Sequence, residues 1–142
     1  AAMNFENSKM YPGLPEYFDN EGRGLYAYLT GAASWYMLTM ITEVFGVKGD
    51  LGDLVIAPSL LPEQFDEKGS AGLKLEFARK KFEIIMHNPE KKDLRIEQIR
   101  RAVCDEKVVL EPEPEYGVRL RKSVIETLDQ KKCHRIDVFF QE

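Results

Sequence analysis

The chain contains 142 residues, of which 44% are hydrophobic and 31% charged, and its net charge is −4. This composition excludes an intrinsically disordered chain and indicates a globular one. The acidic balance argues against nucleic acid and anionic membrane surfaces as partners, because proteins that bind a phosphate backbone carry a basic surplus. No segment of the sequence has the length and apolarity of a membrane span, and we expect a cytoplasmic protein.

The cysteine and histidine residues do not suggest a metal site. Cys104 and Cys133 are the two cysteines, and two free thiols are typical of a reducing compartment. His87 and His134 have neither a second histidine nor a thiol at the spacing of metal ligands. We therefore predict no metal and no cofactor.

Residues 1–49 are predicted to form a loop followed by one long helix. Pro12, Gly13 and Pro15 exclude a regular helix over residues 11–20, which are rich in turn-forming and aromatic residues. The aromatic side chains of this segment need a surface to pack against. An ordered loop laid over a neighbouring element is therefore expected here.

The clearest helix of the sequence is predicted from residue 32 to about residue 45. Thr30 or Gly31 can serve as its N-cap, and Gly46 stands where a left-handed residue commonly ends a helix. Hydrophobic side chains cover nearly its whole circumference: Trp35, Tyr36, Met37, Leu38, Met40, Ile41, Val44 and Phe45.

A helix that is apolar on all sides is normally buried inside a large protein. A chain of 142 residues can hardly surround such a helix. We therefore expect the chain to be part of a larger protein whose remaining parts cover the helix. Packing of the helix against the β region, or against another copy in a homo-oligomer, is also expected because its surface is too apolar for water.

From Asp50 onward the hydrophobic period changes from 3.6 to 2, which predicts strands. Residues 73–77 and 82–86 alternate around a turn and predict a β-hairpin. Further strands are predicted at 54–56, 94–100, 107–110, 117–121 and 135–140, with a short helix at 123–128. The predicted fold is mainly β: residues 50–142 form an antiparallel β-sandwich, whose core is predicted to include Phe77, Phe82, Phe139 and Phe140.

The start of the long helix is the most suggestive binding site. Backbone N–H groups at a helix start have no partner within the helix, and the helix dipole favours an anion there. The hydroxyl of Thr30 could add a donor beside Gly31. Capping and tight packing are the more common explanation of the same two residues, because capping residues are frequent at any helix start, but the residues alone leave both interpretations open.

An acidic cluster precedes this helix beside aromatic residues, as in many sugar-binding sites. It consists of Glu16, Asp19 and Glu21. Carboxylates in loops are more often solvated or capping than catalytic, and glycoside hydrolysis by water needs a facing pair of them. We therefore assign no catalytic residue to the chain.

Three sequence blocks in close succession resemble glycoside hydrolase family 94. They read GLPEYFDNEGRG at residues 13–24, YLTGAASWY at 28–36 and VFGVKGDLGD at 44–53. The family includes cellobiose phosphorylase, chitobiose phosphorylase and the phosphorylase-like region of cyclic β-1,2-glucan synthases. The likeness continues over residues 54–64 and, more loosely, to the C-terminus.

This resemblance implies a glycosyltransferase-type function in carbohydrate metabolism, namely inverting phosphorolysis of a β-glucoside by inorganic phosphate. It implies an (α/α)6 barrel that ends within residues 1–49, followed by a C-terminal β-sandwich at 50–142. Thr30 and Gly31 match the Thr-Gly pair through which the family contacts phosphate. The family's catalytic aspartate lies upstream of the matched blocks, so the chain by itself is expected to be inactive.

A different interpretation of the same chain is a non-catalytic module. In it, the β-sandwich binds carbohydrate or forms a dimer, and the apolar helix covers a partner. The sequence does not name the β-glucoside or its linkage. It also does not separate a free phosphorylase from the tail of a cyclic-glucan synthase.

Overall fold

The computed structural model describes residues 6, 9, 15–26, 31–94, 99–113 and 117–140. The chain forms two compact units, Ala1–Met40 and Ile41–Glu142. This division lies before the predicted boundary between residues 49 and 50. The reason is that strand β3 (Val47–Asp50) already belongs to a sheet of the second unit.

The first unit contains a small antiparallel ribbon of β1 (Tyr17–Phe18) and β2 (Gly24–Leu25). Asp19 closes the turn between the two strands, because its Oδ1 accepts hydrogen bonds from the N–H groups of Glu21 at 3.0 Å and Arg23 at 2.8 Å. Aspartate commonly forms turns in this way. Asp19 therefore acts as a turn former.

Helix α1 (Gly31–Thr39) also belongs to this unit, and a π-helical turn (Met40–Val44) follows it. The prediction of one regular helix over residues 32–45 is therefore wrong beyond Thr39. From Ile41 onward the chain belongs to the second unit, where Ile41, Val44 and Phe45 pack against the core. This packing competes with regular α geometry, and π-helical turns occur where that geometry is interrupted.

Helix α1 exposes its apolar side chains. None of its residues is buried, and the exposed fractions are 69% for Trp35, 54% for Tyr36, 59% for Met37 and 47% for Leu38. Such a contiguous group of large apolar side chains is uncommon on a protein surface that faces only water. No helix within the described ranges is both long and apolar enough to cross a membrane.

Gly46 has the predicted left-handed conformation, with φ of +66°. A Cβ placed on it would lie 1.9 Å from the carbonyl oxygen of Ala57. The backbone at Ala57 lies this close to Gly46 because the N–H of Ala57 donates a hydrogen bond to the carbonyl of Gly46 at 2.9 Å. Only glycine meets both requirements, since any side chain would collide with that backbone.

The second unit contains a four-stranded and a five-stranded sheet. The first has the order β3-β4-β10-β9, with β4 Asp53–Ile56, β9 Pro112–Glu113 and β10 Gly117–Leu120. All of its strand pairs are antiparallel. A 3₁₀ turn (Pro62–Gln64) follows β4, and the short helix α2 (Lys122–Thr127) follows β10, close to its predicted position.

The larger sheet has the order β5-β6-β11-β7-β8. Its strands are β5 Ser70–Phe77, β6 Lys80–His87, β7 Ile99–Cys104, β8 Val108–Leu110 and β11 Cys133–Phe140. The predicted hairpin of β5 and β6 is confirmed. The prediction of purely antiparallel pairing is wrong, because β11 inserts between β6 and β7 and runs parallel to β6. Parallel neighbours need a long crossover, and here residues 88–132 connect the end of β6 to the start of β11.

One hydrophobic core takes buried side chains from both sheets. Burial alternates along β6 and β11, so that each strand turns every second side chain to the core. Phe82 and Phe140 lie in the core as predicted, and Phe77 packs at its margin. The prediction that Phe139 lies in the core is wrong, since its side chain points to the other face of the sheet and is 39% exposed. The mainly β prediction is confirmed.

The alternation along β11 predicts a large difference between two valines of the same sheet. Val138→Ala removes two methyl groups from a side chain that is 0% exposed, and we expect it to lower the free energy of unfolding by about 2–3 kcal/mol. Val109→Ala on β8 alters a side chain that is 49% exposed. It should change the free energy of unfolding by less than about 0.5 kcal/mol. Urea denaturation measures both, and equal losses would contradict this assignment of the core.

Candidate functional site

The predicted phosphate site falls partly within the described structure. Thr30 lies outside the described residues, whereas Gly31 is the first residue of α1. The next backbone N–H, that of Ala32, donates a hydrogen bond of 2.7 Å to Oε1 of Glu16. The two carboxylate oxygens lie 3.2 and 3.3 Å from the position that a Cβ on Gly31 would take. The carboxylate of Glu16 thus lies directly against the start of the helix.

This contact shows what the helix start can bind. The first N–H groups of a helix lack intrahelical acceptors, and the positive end of the dipole favours negative charge. Glu16 supplies that charge from within the chain, and its carboxylate caps the start of the helix. Binding of phosphate by Thr30 and Gly31 stays a prediction.

Removal of the capping carboxylate should loosen the start of α1. In Glu16→Ala the N–H of Ala32 loses its acceptor, which costs about 1 kcal/mol and should speed hydrogen exchange of that amide about fivefold. Glu16→Gln keeps an oxygen acceptor and serves as the matched control. Its exchange rate should increase less than that of Glu16→Ala. Amide exchange followed by NMR gives the rates. An unchanged rate in Glu16→Ala would show that the contact does not hold the helix start.

A second arrangement of polar and aromatic side chains lies on the outer face of the five-stranded sheet. Phe139 of β11 pairs in register with His87 of β6 on one side and with Arg101 of β7 on the other. Residues that pair in register point to the same face of a sheet. His87, Phe139 and Arg101 therefore form a row across three neighbouring strands, on the face away from the core.

His87 is held in place from two directions. Its Nε2 lies 2.6 Å from Oδ1 of Asp137, and its ring stacks on Phe139 with centroids 4.8 Å apart and planes 11° from parallel. Arg135 donates to the same carboxylate through Nε at 2.9 Å and through a terminal nitrogen at 2.8 Å. A histidine held in this way keeps a fixed ring orientation, as in many ligand and catalytic sites.

The electrostatics favour an ionised Asp137. Partial burial raises the pKa of its carboxyl group, but hydrogen bonds from Arg135 and His87 outweigh that effect, so the pKa lies below its usual value. The carboxylate therefore stays charged at neutral pH and continues to hold the imidazole.

His87 and Phe139 line a cleft of about 570 Å³. This volume lies within the range of small-molecule sites. Asn88 stabilises one wall, because its buried side chain accepts from the N–H of Lys92 at 3.0 Å and donates to the carbonyl of the same residue at 2.8 Å. Gly69, with φ of +72°, lies so close to Asn88 that a Cβ would be 2.5 Å from its carbonyl oxygen. The wall is thus formed by tightly packed backbone.

The other histidine has a structural role. His134 is 3% exposed, and its Nδ1 lies 2.6 Å from Oδ2 of Asp105 while its Nε2 lies 2.8 Å from the carbonyl oxygen of Asp129. Both ring nitrogens are therefore engaged within the fold. Across the described part of the chain, no group of three or more His, Cys, Asp or Glu side chains could hold a metal ion.

The sequence did not reveal the arrangement around His87. His87 and Asp137 are 50 positions apart in the sequence, and only the parallel register of β6 and β11 brings them together. The alternation of each strand could have placed His87 and Phe139 on the face away from the core. It could not have shown that the two strands are neighbours.

Comparisons with known proteins add no assignment to this geometry. No family model matches the chain, and no curated protein matches it either. Evidence about function therefore comes from the motifs and from the two arrangements described above.

Acid should weaken the fold through Asp137. The folded-state pKa lies below the unfolded value, so this carboxylate stabilises the fold above about pH 4 and the contribution is lost as the pH falls through the folded pKa. We expect Asp137→Asn to lower the free energy of unfolding by about 1 kcal/mol at pH 7 and by less at pH 3. Urea titrations at several pH values measure this, with Val109→Ala as the non-ionising control. If the free energies of unfolding of Asp137→Asn and the parent chain differed by the same amount at every pH, this role of Asp137 would be contradicted.

Proposed function

We propose that the chain is the C-terminal part of an inverting glycoside phosphorylase of the family 94 type, which cleaves a β-glucoside with inorganic phosphate. Residues 1–49 would complete the (α/α)6 catalytic barrel, and residues 50–142 would form the C-terminal β-sandwich. The three sequence blocks at residues 13–24, 28–36 and 44–53 support this proposal. The proposed substrate class is a β-glucoside, and phosphate is the co-substrate.

The observation that carries the proposal is the carboxylate at the start of α1. The N–H of Ala32, directly after the Thr-Gly pair, binds an anionic oxygen of Glu16 at 2.7 Å. A phosphate oxygen is an acceptor of the same charge sign and suits the same kind of donor. This supports a phosphate site at Thr30 and Gly31, with the carboxylate of Glu16 yielding the donor when phosphate binds.

The exposed surface of α1 supports a neighbouring domain. Four large apolar side chains of this helix, Trp35 to Leu38, are each at least 47% exposed. Burial of apolar surface contributes roughly 25 cal/mol per Å², so the barrel that the proposal places here would be stabilised by covering them. The core shared by the two sheets of the second unit supports the β-sandwich.

The proposed reaction is a single displacement. A phosphate oxygen attacks the anomeric carbon, the glycosidic bond breaks, and a carboxylic acid from the upstream barrel protonates the leaving oxygen. Inversion gives an α-sugar 1-phosphate, and phosphate replaces the activated water of an inverting hydrolase. Thr30 and Gly31 would position the phosphate by hydroxyl and backbone donors. The chain alone lacks the acid and should be inactive, since groups preorganised around the reacting carbon provide most of the rate.

The test is Thr30→Ala in the full-length protein. Loss of one donor to a charged oxygen costs about 1.5–3 kcal/mol, so kcat/KM for phosphate should fall about 10- to 100-fold. Release of glucose 1-phosphate from cellobiose or a β-1,2-glucan measures the rate at varied phosphate. Thr39→Ala, at the other end of α1, is the matched control and should leave the phosphate dependence unchanged. If Thr30→Ala showed the same phosphate dependence as the parent enzyme, the assignment of Thr30 to phosphate binding would be contradicted.

The exposed α1 side chains also fit the second candidate, a non-catalytic module that binds carbohydrate or forms a dimer. The two candidates differ in what the 142-residue chain does alone. Saturable binding of neutral gluco-oligosaccharides such as cellobiose would favour the module, whereas no binding agrees with part of a phosphorylase. Sedimentation of the chain reports whether it associates with a second copy.

A further inference from the structure

We propose that the cleft beside His87 and Phe139 binds a small phosphorylated ring compound. This site lies entirely within the second unit and does not involve Thr30 or Gly31, so it is independent of the phosphate site proposed for the phosphorylase. Three properties of the cleft support the proposal: its charge, its aromatic surface and the fixed orientation of His87.

The charge of the cleft favours an anion. Four cationic side chains and one carboxylate are among the residues that line it. The carboxylate, Glu90, is paired with Lys92 at 3.2 Å. Lys68 and Arg101 are exposed cations at the cleft, and neither has a side-chain partner among the described residues. Cations of both kinds suit a phosphate monoester, and the guanidinium group of Arg101 can donate two parallel hydrogen bonds to its oxygens.

The aromatic surface favours a ring next to that anion. Phe139 stands between His87 and Arg101 in the cross-strand row, and 39% of it stays exposed although His87 stacks on it. A ring placed against the exposed part of Phe139 brings a phosphate substituent toward Arg101 on the adjacent strand. Stacking on aromatic side chains contributes about 1–3 kcal/mol for nucleobases, and a sugar ring has a comparable flat apolar side.

His87 adds a polar group of fixed direction. Asp137 engages its Nε2, and Nδ1 has no hydrogen-bond partner within the described residues. The ring nitrogen that remains can bond a ligand hydroxyl or the edge of a base. A mostly apolar cleft with a few convergent polar groups is the usual form of a small-molecule site. The volume of about 570 Å³ accommodates either a monosaccharide phosphate or a nucleoside monophosphate.

The test is calorimetric titration of the 142-residue chain with glucose 1-phosphate, AMP and inorganic phosphate. At least one of the two ring compounds should bind saturably and more tightly than inorganic phosphate. Comparison of the two separates a sugar source from a nucleotide source. Competition between them, if both bind, should show one shared site.

Three variants locate the binding. Arg101→Gln and Phe139→Leu should each weaken it about tenfold or more, the first by loss of a charged hydrogen bond and the second by loss of the stacking surface. Arg79→Gln, in the exposed turn between β5 and β6, is the matched control and should bind as the parent chain does. Thermal unfolding shows that each variant is folded.

Two kinds of result would overturn the proposal. One is the absence of saturable binding up to about 10 mM, or inorganic phosphate that binds as tightly as the ring compounds. The other is unchanged affinity in folded Arg101→Gln and Phe139→Leu. Thr30 takes no part in these titrations, so failure here leaves the phosphorylase proposal unaffected.

Discussion

The parallel pairing of β11 with β6 is the interaction on which the rest of the second unit depends. It places β11 at the centre of the five-stranded sheet, with β7 on its other side. The even-numbered residues Ile136 and Val138 then fill the core. The odd-numbered residues Asp137 and Phe139 meet His87 on the outer face. A shift of one residue in this register would exchange the two faces and abolish both the core and the cleft.

Carboxylates connect elements that the strand ladders leave separate. Asp53 of β4 accepts from the N–H of Lys122 at 2.6 Å, which fixes the start of α2. That hydrogen bond, with those from Arg121 and Arg119, lowers the pKa of Asp53 despite the opposing effect of desolvation. Asp105 similarly joins the turn between β7 and β8 to β11, through the N–H of Arg135 at 2.9 Å. An acidic chain thus uses its negative charges as structural acceptors.

Local features of the fold could be predicted from the sequence, and long-range pairing could not. The hairpin of β5 and β6, the helix α2 and the left-handed Gly46 follow from alternation, turn residues and short-range sterics. The end of α1 was missed because packing of Ile41 and its neighbours against the core overrides the local pattern. The neighbours of β11 were missed because alternation fixes which face a side chain takes but not which strand lies beside it. The candidate cleft was missed for the same reason.

The carboxylate of Glu16 gives the start of α1 a tethered ligand of its own. A group held on the same chain acts at an effective concentration in the millimolar range or above. An anion from solution must therefore compete with it for the N–H of Ala32. Occupancy of this amide by an external anion then depends on the difference between two affinities rather than on one. Any movement of the loop that withdraws Glu16 from the helix start raises the apparent affinity of that start for an external anion, although no new contact forms. The position of the preceding loop can thus control whether the start of α1 is free to bind an external anion.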